Sequence, residues 1–554
     1  MPTDIAEDTI DLTIDLLEAV TPEAGTKSDP FPNLKATGRS ELRQFRTLIL
    51  ENAYLQVTVV PDLGGRILRI YDKRTATDIV PYTPRVSVSA GGPRGVFAAS
   101  GVQISLNGGE RLNAMGAVSS MPDFSEDEEE PGGIWLGEIC GDGLSFHCRI
   151  SLPPERAEIV LELRVLNRTF EPIAFNPGLL FGGMDLEGSF ARSSAGVGIR
   201  VFGLGAGCFG FRDAQSLAPR QLYSATVTLT PFSLGEGLTG MSGEAAAYFD
   251  RSLLKIQSVM PRLGHKVVLL TEAGQTLEAP ADLYPETLYE VPLDTLPSPA
   301  KAIAILDPQR NEILRIDGVL DAGEPASDPG RLDIEWPALE WGEGRLRQAT
   351  FNVAQRHLAH LLLGYRRLSE RDFAAADREF EQALLFNAED HLTWWIKAVT
   401  ARLLGQVGEE RAELLNAHFL APLEPALRAE SYLGSPSQTK EPSAVLRPLL
   451  ETPFVFVEVA ALLVEAGLNE DASKWIDEAL RHIDLAMLRY LLAFAYLSAS
   501  RMGVEAADQV AAAGAKPGSP PYAYRAVERR ALKALRERFP EDRVLAEYAG
   551  YLLG

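Results

Sequence analysis

Two periodicities divide this chain. From about Arg43 to residue 318, short β-branched runs are broken by Gly, Pro and Asp, as in LQVTVVPDLGGRILRIYDKRT, FHCRISLPP and AEIVLELRVLNRT. Leu161, Leu163 and Val165 alternate with Glu162 and Arg164, the period-two signature of a strand with one wet face. KVVLLTEAG, ETLYEVPL and KAIAILDP repeat the pattern. Many strands at short spacing, with no helical periodicity between them, predict a large antiparallel sandwich and not an α/β sheet.

Beyond Arg345 the period becomes that of a helix, and alanine and leucine dominate. The organisation expected is an acidic leader and tether over 1–40 with one short helix from Ile10 to Val20, a β-domain over 41–319, a connector over 320–345 and a helical array over 346–554. The connector is marked by Gly-Glu-Pro, Asp-Pro-Gly and two isolated tryptophans.

The helical half repeats itself. Segments starting near His357, His391, Pro453 and Met487 align on a 34-residue period. Small residues recur at one position as Ala376, Ala472 and Ala506, and at another as Ala383, Ala417, Ala479 and Ala513. Bulky residues recur as Phe380, Leu414, Ile476 and Val510, while Gly364 and Ala398 keep the helix crossing compact. Alanines let paired helices approach, and the bulky side chain plugs the groove towards the next pair. With Trp394 and Pro422, these residues resemble the tetratricopeptide (TPR) pattern over 357–424 and 453–514. The stretch 425–452, with GSPSQTKEPS, departs from it, and Tyr524–Phe539 and Asp542–Leu553 read as two capping helices. The resemblance implies an α-solenoid with no chemistry of its own, which holds a protein partner or its own neighbouring domain.

Composition narrows the function classes. The 554 residues are 46% hydrophobic and 23% charged, ordinary for globular domains, and the length suffices for at least two cores. A net charge of −23 would repel a phosphate backbone or an anionic bilayer, so neither nucleic acid nor membrane is an expected partner. The opening MPTDIAEDTIDLTIDLLEAV lacks the basic start and apolar run of a secretory signal, and a cytoplasmic location is the expectation. Cys140, Cys148 and Cys208 form no metal-ligand spacing and read as buried free thiols; neither cofactor nor metal is expected.

The segment LENAYLQVTVVPDLGGRILRIYDKRTATDIVPY, residues 50–82, carries a sharper signal. Tyr54, Pro61, Gly64, Gly65, Arg66, Asp72 and Lys73, with Asn167-Arg168-Thr169 after a later strand, resemble the opening of galactose-mutarotase-like domains. The nearest likeness is a bacterial family whose β-domain of unknown function (DUF5107) is followed by TPR repeats. The resemblance implies a β super-sandwich that binds or transforms carbohydrate in a cleft on its concave face, where carboxylates and histidines exchange protons with sugar oxygens. That family typically shows a Gly-Gly-Ile-Glu-like strand followed by paired histidines. Here the stretch is Ser100-Gly101-Val102-Gln103-Ile104, and Gln103 hydrogen-bonds but cannot act as a general acid or base.

Candidate ligand-binding residues are therefore Gln103 and, in the loop that follows, Asn107, Glu110 and Arg111, whose amide, carboxylate and guanidinium suit sugar hydroxyls. Glu110, Glu138 in IWLGEICG, and the pair Asp185 and Glu187 in GGMDLEG are the carboxylates that could serve as acid or base. His147 and His265 read as satisfied strand or turn histidines, His357 and His360 at helical spacing lack a third metal ligand, and Ser125–Glu130 reads as a solvated acidic loop. GLGAGCFGF, residues 203–211, lacks the strand-to-helix context of a nucleotide loop. The reading favoured is a carbohydrate-binding or scaffold protein with little or no catalysis. The alternatives are a carbohydrate-active enzyme of epimerase or glycosidase type and a purely structural assembly factor.

Overall fold

A computed structural model describes residues 3–20, 31–80, 82–91, 93–98, 100–106, 111, 114–124, 131–182, 184–187, 190–192, 197–202, 215–234, 239–241, 244–249, 252–294, 300–316, 334–434, 446–450, 452–499, 503–515 and 525–553. Side chains within 185–198 are not described, apart from the backbone placement of their strands.

Asp4–Ala19 is a strand, not the leader helix expected over Ile10–Val20. It pairs antiparallel with Leu34–Glu51, from Asp4 opposite Glu51 to Ala19 opposite Leu34. The physical reason lies in the alternation Ile10, Leu12, Ile14: Leu12 and Ile14 are buried on one face, and a neighbouring strand supplies the surface that an isolated helix would lack. The β-domain thus begins well before residue 41.

The hairpin extends one eight-stranded sheet, which runs through Leu55–Val60, Arg66–Asp72 and Val102–Ser105 to Gly178–Phe181. A second eight-stranded sheet runs in order through Ser119–Asp123, Gly133–Ile139, Leu144–Ser151, Ile159–Asn167 and Leu222–Ser233. Val57, Val59, Ile67 and Ile70 of the first sheet share a core with Leu136, Phe146, Cys148, Leu161 and Val165 of the second. This is the antiparallel sandwich expected. The turn between its third and fourth strands is Pro61–Leu63, closed by Gly64 and Gly65 at φ of 70° and 67°. A Cβ on Gly64 would stand 2.3 Å from the Ala114 carbonyl oxygen, so both the dihedral and the close approach require glycine there.

Residues 240–316 form a second β-unit in place of a continuation of the first. Two four-stranded sheets enclose Ala247, Leu254 and Ile256 on one side and Val267, Leu269, Ile303 and Ile305 on the other. The β-region is therefore built on more than one core.

The helices pair as the repeat predicts: Arg356–Ser369 with Phe373–Phe386, His391–Leu403 with Val407–Leu420, Phe454–Glu465 with Asn469–Ala479, and Ala486–Ser498 with Gly503–Gly514. Ala376, Ala383, Ala417, Ala472, Ala479, Ala506 and Ala513 are all buried. A Cβ on Gly364 would lie 2.3 Å from the Phe380 ring, which is the compact crossing read from sequence. Ala526–Arg538 and Arg543–Leu553 close the array. Between the second and third pairs stand a helix, Pro425–Gly434, and a short turn, Arg447–Leu449.

Candidate functional site

The site is set by how the helices meet the second sheet. Alternation along the strands sends Leu136, Phe146, Leu163 and Val165 into the sandwich, and Gly137, His147 and Arg164 to its other face, where they stand side by side in register. That outer row is covered by the chain itself. A Cβ on Gly137 would meet Leu423 Cβ at 3.0 Å and His147 Cδ2 at 3.2 Å. The His147 ring meets that of His391 edge-on, with centroids 5.8 Å apart. Arg164 Nη1 donates to the Phe419 and Leu420 carbonyls at 2.7 and 3.0 Å. Ile139, Leu166 and Phe170 of the β-domain belong to the helical core.

Buried ion pairs weld this junction. Arg220 donates through Nε and Nη2 to the two oxygens of Asp390 at 2.9 Å each, and Arg168 Nη1 reaches Glu424 Oε2 at 2.5 Å. All four side chains are at most 1% exposed. Asp390 is also the N-cap of His391–Leu403, accepting from Leu392 and Thr393. Burial alone would raise its pKa, but Arg220 and the hydrogen bond from His357 more than offset that and hold the carboxyl well below its ordinary value. Glu424 is likewise held low: burial opposes, while Arg168 and the hydrogen bond with His391 win. His147 is pushed down to about 3, by burial first and then by His391, and so is neutral. Asn167 braces the same corner, donating to the Glu171, Leu217 and Ala218 carbonyls, which gives the Asn167-Arg168-Thr169 motif a structural role.

Beside the weld lies a cavity of about 320 Å³, walled by Val118, Ser119, Ile139 and His147 of the β-domain and by Leu423, Glu424, Thr452, Phe454, Val455 and Leu485 of the helices. Its walls are mostly apolar. Thr452 Oγ1 is buried without a hydrogen-bond partner, and among the described residues no hydrogen bond reaches either ring nitrogen of His147.

Of the residues singled out from sequence, Glu138 and His147 border this cavity, Glu138 with its Oε1 buried and without a hydrogen-bond partner, and the others are dispersed relative to it. Arg111 is a buried strut: Nε donates to Glu138 Oε2 at 2.8 Å, Nη1 to the Ile104 carbonyl at 2.6 Å and Nη2 to the Gly64 carbonyl at 2.5 Å, with the guanidinium over the Phe146 ring. A guanidinium so occupied is not offered to a ligand, and it draws the Glu138 carboxylate towards the sandwich side of its strand. Gln103 is buried on Val102–Ser105, its amide donating to the Ala98 carbonyl at 3.2 Å. Asn107 and Glu110 lie outside the described residues. So do the acidic run 125–130, Cys208 and the glycine-rich 203–211. Asp185 and Glu187 fall on a short strand, and their side chains are not described.

His357 and His360 are engaged separately, with Asp390 and Glu379. His265 Nδ1 meets the Leu263 carbonyl. Cys140 and Cys148 are buried free thiols, Cys148 pushed up to about 12 by burial. His391, Asp390, Glu424 and Arg220 were missed from sequence. Their only local signal is Asp390 ahead of a helix, since the partners of Arg220, Asp390, His391 and Glu424 stand 33 to 256 residues away.

The fold and this junction define a β-sandwich protein with a TPR-type array fastened to one of its sheets. Residues 29–148 match the family described as "Domain of unknown function (DUF5107)". Among solved structures, a TPR-domain containing protein from Parabacteroides distasonis ATCC 8503 is 12% identical, covering 97% of this chain and 96% of its own, with a TM-score of 0.30. A galactose 1-epimerase from Lactobacillus acidophilus NCFM is 12% identical over 39% of this chain and 99% of its own, at a TM-score of 0.23. The pilF protein of Pseudomonas aeruginosa is 16% identical over 35% of this chain and 88% of its own, at a TM-score of 0.18. Among the described residues, no helix is long and apolar enough to cross a membrane.

Proposed function

We propose that this protein is a non-catalytic carbohydrate-binding scaffold, holding a small sugar in the junction cavity and a protein partner on the outer surface of its helices. The observation that carries the reading is the covered sheet: the row Gly137, His147 and Arg164 lies against the chain's own helices. Proton transfer to a sugar oxygen needs a carboxyl group free to touch it. Glu138 is ion-paired through Oε2 with Arg111, which leaves Oε1 as an acceptor, and the carboxylate of Glu424 is held by Arg168 and His391. What remains is a partly open, mostly apolar space with a few polar atoms, of a size at the lower end of ligand sites.

The scaffold half of the reading rests on the second helices of the first two pairs, where Leu385, Val407, Leu415 and Phe419 are exposed. Apolar side chains in number on a helical array suit a protein partner.

Ligand-observed NMR with a panel of neutral monosaccharides tests the sugar site. Saturation transfer to at least one sugar is expected from the unaltered protein. The signal should vanish in Thr452→Trp, which fills the cavity rim, with the circular dichroism unchanged. A panel without any signal, or a signal that survives in Thr452→Trp, overturns the reading.

A further inference from the structure

The lining of the junction cavity constrains which sugar it can take; this inference deepens the carbohydrate reading above and rests on it. Among the described residues that wall the cavity there is no lysine or arginine, and its two acidic wall residues, Glu138 and Glu424, already have their countercharges in Arg111 and Arg168. A uronate or sugar phosphate would enter without a cation to meet it, next to an existing carboxylate, and a desolvated unpaired charge is strongly disfavoured. The ligand is therefore uncharged.

The polar inventory is also short. His147, only 5% exposed, has a neutral imidazole with one donor and one acceptor and no hydrogen bond among the described residues. Thr452 Oγ1 and Glu138 Oε1 are buried without partners, and Ser119 adds a second hydroxyl. Buried polar atoms normally have partners, so Thr452 Oγ1 and Glu138 Oε1, left open on residues that wall the cavity, mark where ligand hydroxyls would bind. Every other approach is made by side chains such as Val118, Ile139, Phe454, Val455 and Leu485. Each ligand hydroxyl beyond those that His147, Thr452, Ser119 and the free oxygen of Glu138 can serve would be desolvated against hydrocarbon.

We propose that the cavity binds a neutral 6-deoxyhexose, its ring hydroxyls shared among His147, Thr452 and Ser119 and its methyl group set against the wall formed by Phe454 and Val455. The methyl group is the feature that distinguishes this ligand from a common hexose. It replaces a hydroxymethyl group whose oxygen would find no partner on that wall.

Sugars that differ only at one carbon separate the outcomes. Isothermal titration of the full chain compares D-fucose, D-galactose and D-galacturonate, which carry methyl, hydroxymethyl and carboxylate on the same ring, and L-rhamnose against L-mannose. The expected result is that at least one deoxy sugar binds at least about tenfold tighter than its hydroxymethyl counterpart, because one buried unpaired hydroxyl is worth about that factor. D-galacturonate should give no heat of binding. His147→Phe, which keeps the ring and removes its polar atoms, should weaken the deoxy sugar by about tenfold. Equal or tighter binding of D-galactose and L-mannose overturns the deoxy-sugar assignment and leaves the neutral-sugar site standing, whereas any binding of D-galacturonate overturns the conclusion that the ligand is uncharged and the deoxy-sugar assignment with it. If none of the five binds, the deoxy-sugar assignment and the sugar site are both overturned.

Discussion

Gly137 shows how a single residue admits a whole domain. It sits mid-strand in register with His147, and the space its missing side chain leaves is taken by Leu423 from the helical half. Glycine in a strand interior is unfavourable for backbone entropy, so a close approach of another chain segment is the compensating reason for it. Gly137→Val should lower unfolding free energy by about 1–3 kcal/mol in urea denaturation, since it overpacks a filled contact. Gly342→Ala is the control: nothing lies within 4 Å of a Cβ there and its φ is −65°, so only the small loss of exchanging a glycine N-cap for alanine is expected, below that of Gly137→Val. His147 on the neighbouring strand carries a second consequence. Its folded pKa of about 3 lies below the value near 6.5 of an exposed imidazole, so the unfolded chain holds more protons between those limits. Stability should fall as pH drops from about 6.5 towards 3, and His147→Leu should flatten that slope in denaturation curves taken at several pH values.

At the scale of elements, the helix pairs and the weld follow different rules. Within the first pair, Gly364 lies under the Phe380 ring, and Gly364→Ala would place a methyl group 2.3 Å from it. Helix propensity favours alanine, yet the clash decides the sign, and a loss of about 1–3 kcal/mol is expected on thermal or chemical unfolding. Between sheet and helices, Arg220 and Asp390 form a bidentate pair with both side chains inaccessible to solvent. Removing one partner strands the other charge, so Asp390→Ala should cost about 3–5 kcal/mol. The double change Arg220→Met with Asp390→Leu, measured by the same urea titration, should recover most of that loss, because an apolar pair avoids the desolvation of both ions. Failure of the double variant to recover would mean that the N-cap role of Asp390 dominates, as its bonds to Leu392 and Thr393 allow.

For the whole molecule, the covered sheet changes what the two halves are to one another. A TPR array and a β-sandwich joined by a tether would unfold separately. Here Ile139, Leu166 and Phe170 lie in the helical core, and buried ion pairs cross the junction. Heating at neutral pH should therefore melt the sandwich and the array together, with far-ultraviolet circular dichroism and tryptophan fluorescence giving one midpoint. Below about pH 4 the same junction is the weak point. Asp390 and Glu424 have pKa values held low in the fold, so their contribution is present above the ordinary carboxyl range and is lost as pH falls through it towards the lowered values.

Much of this was legible in the chain. Period-two and helical periodicities mark the β and helical halves, and the recurring alanines, with Gly364 and Phe380, place the repeat, because such patterns depend on residues close in sequence. The strand at Asp4–Ala19 was misjudged because Ile10, Leu12, Ile14 and Leu17 fit a helix face or a strand face, and only the partner Leu34–Glu51 decides between them. The candidate site was hardly legible. Arg111 and Glu138 have the residue types of a sugar site, but the fold turns them on each other. Arg168, Arg220, His147, Asp390 and Glu424 acquire meaning only where the helices meet the sheet. Local periodicity determined which elements this protein has; which face is buried, which charge is paired and where a cavity is left were decided by tertiary structure, since these depend on groups brought together from opposite ends of the chain.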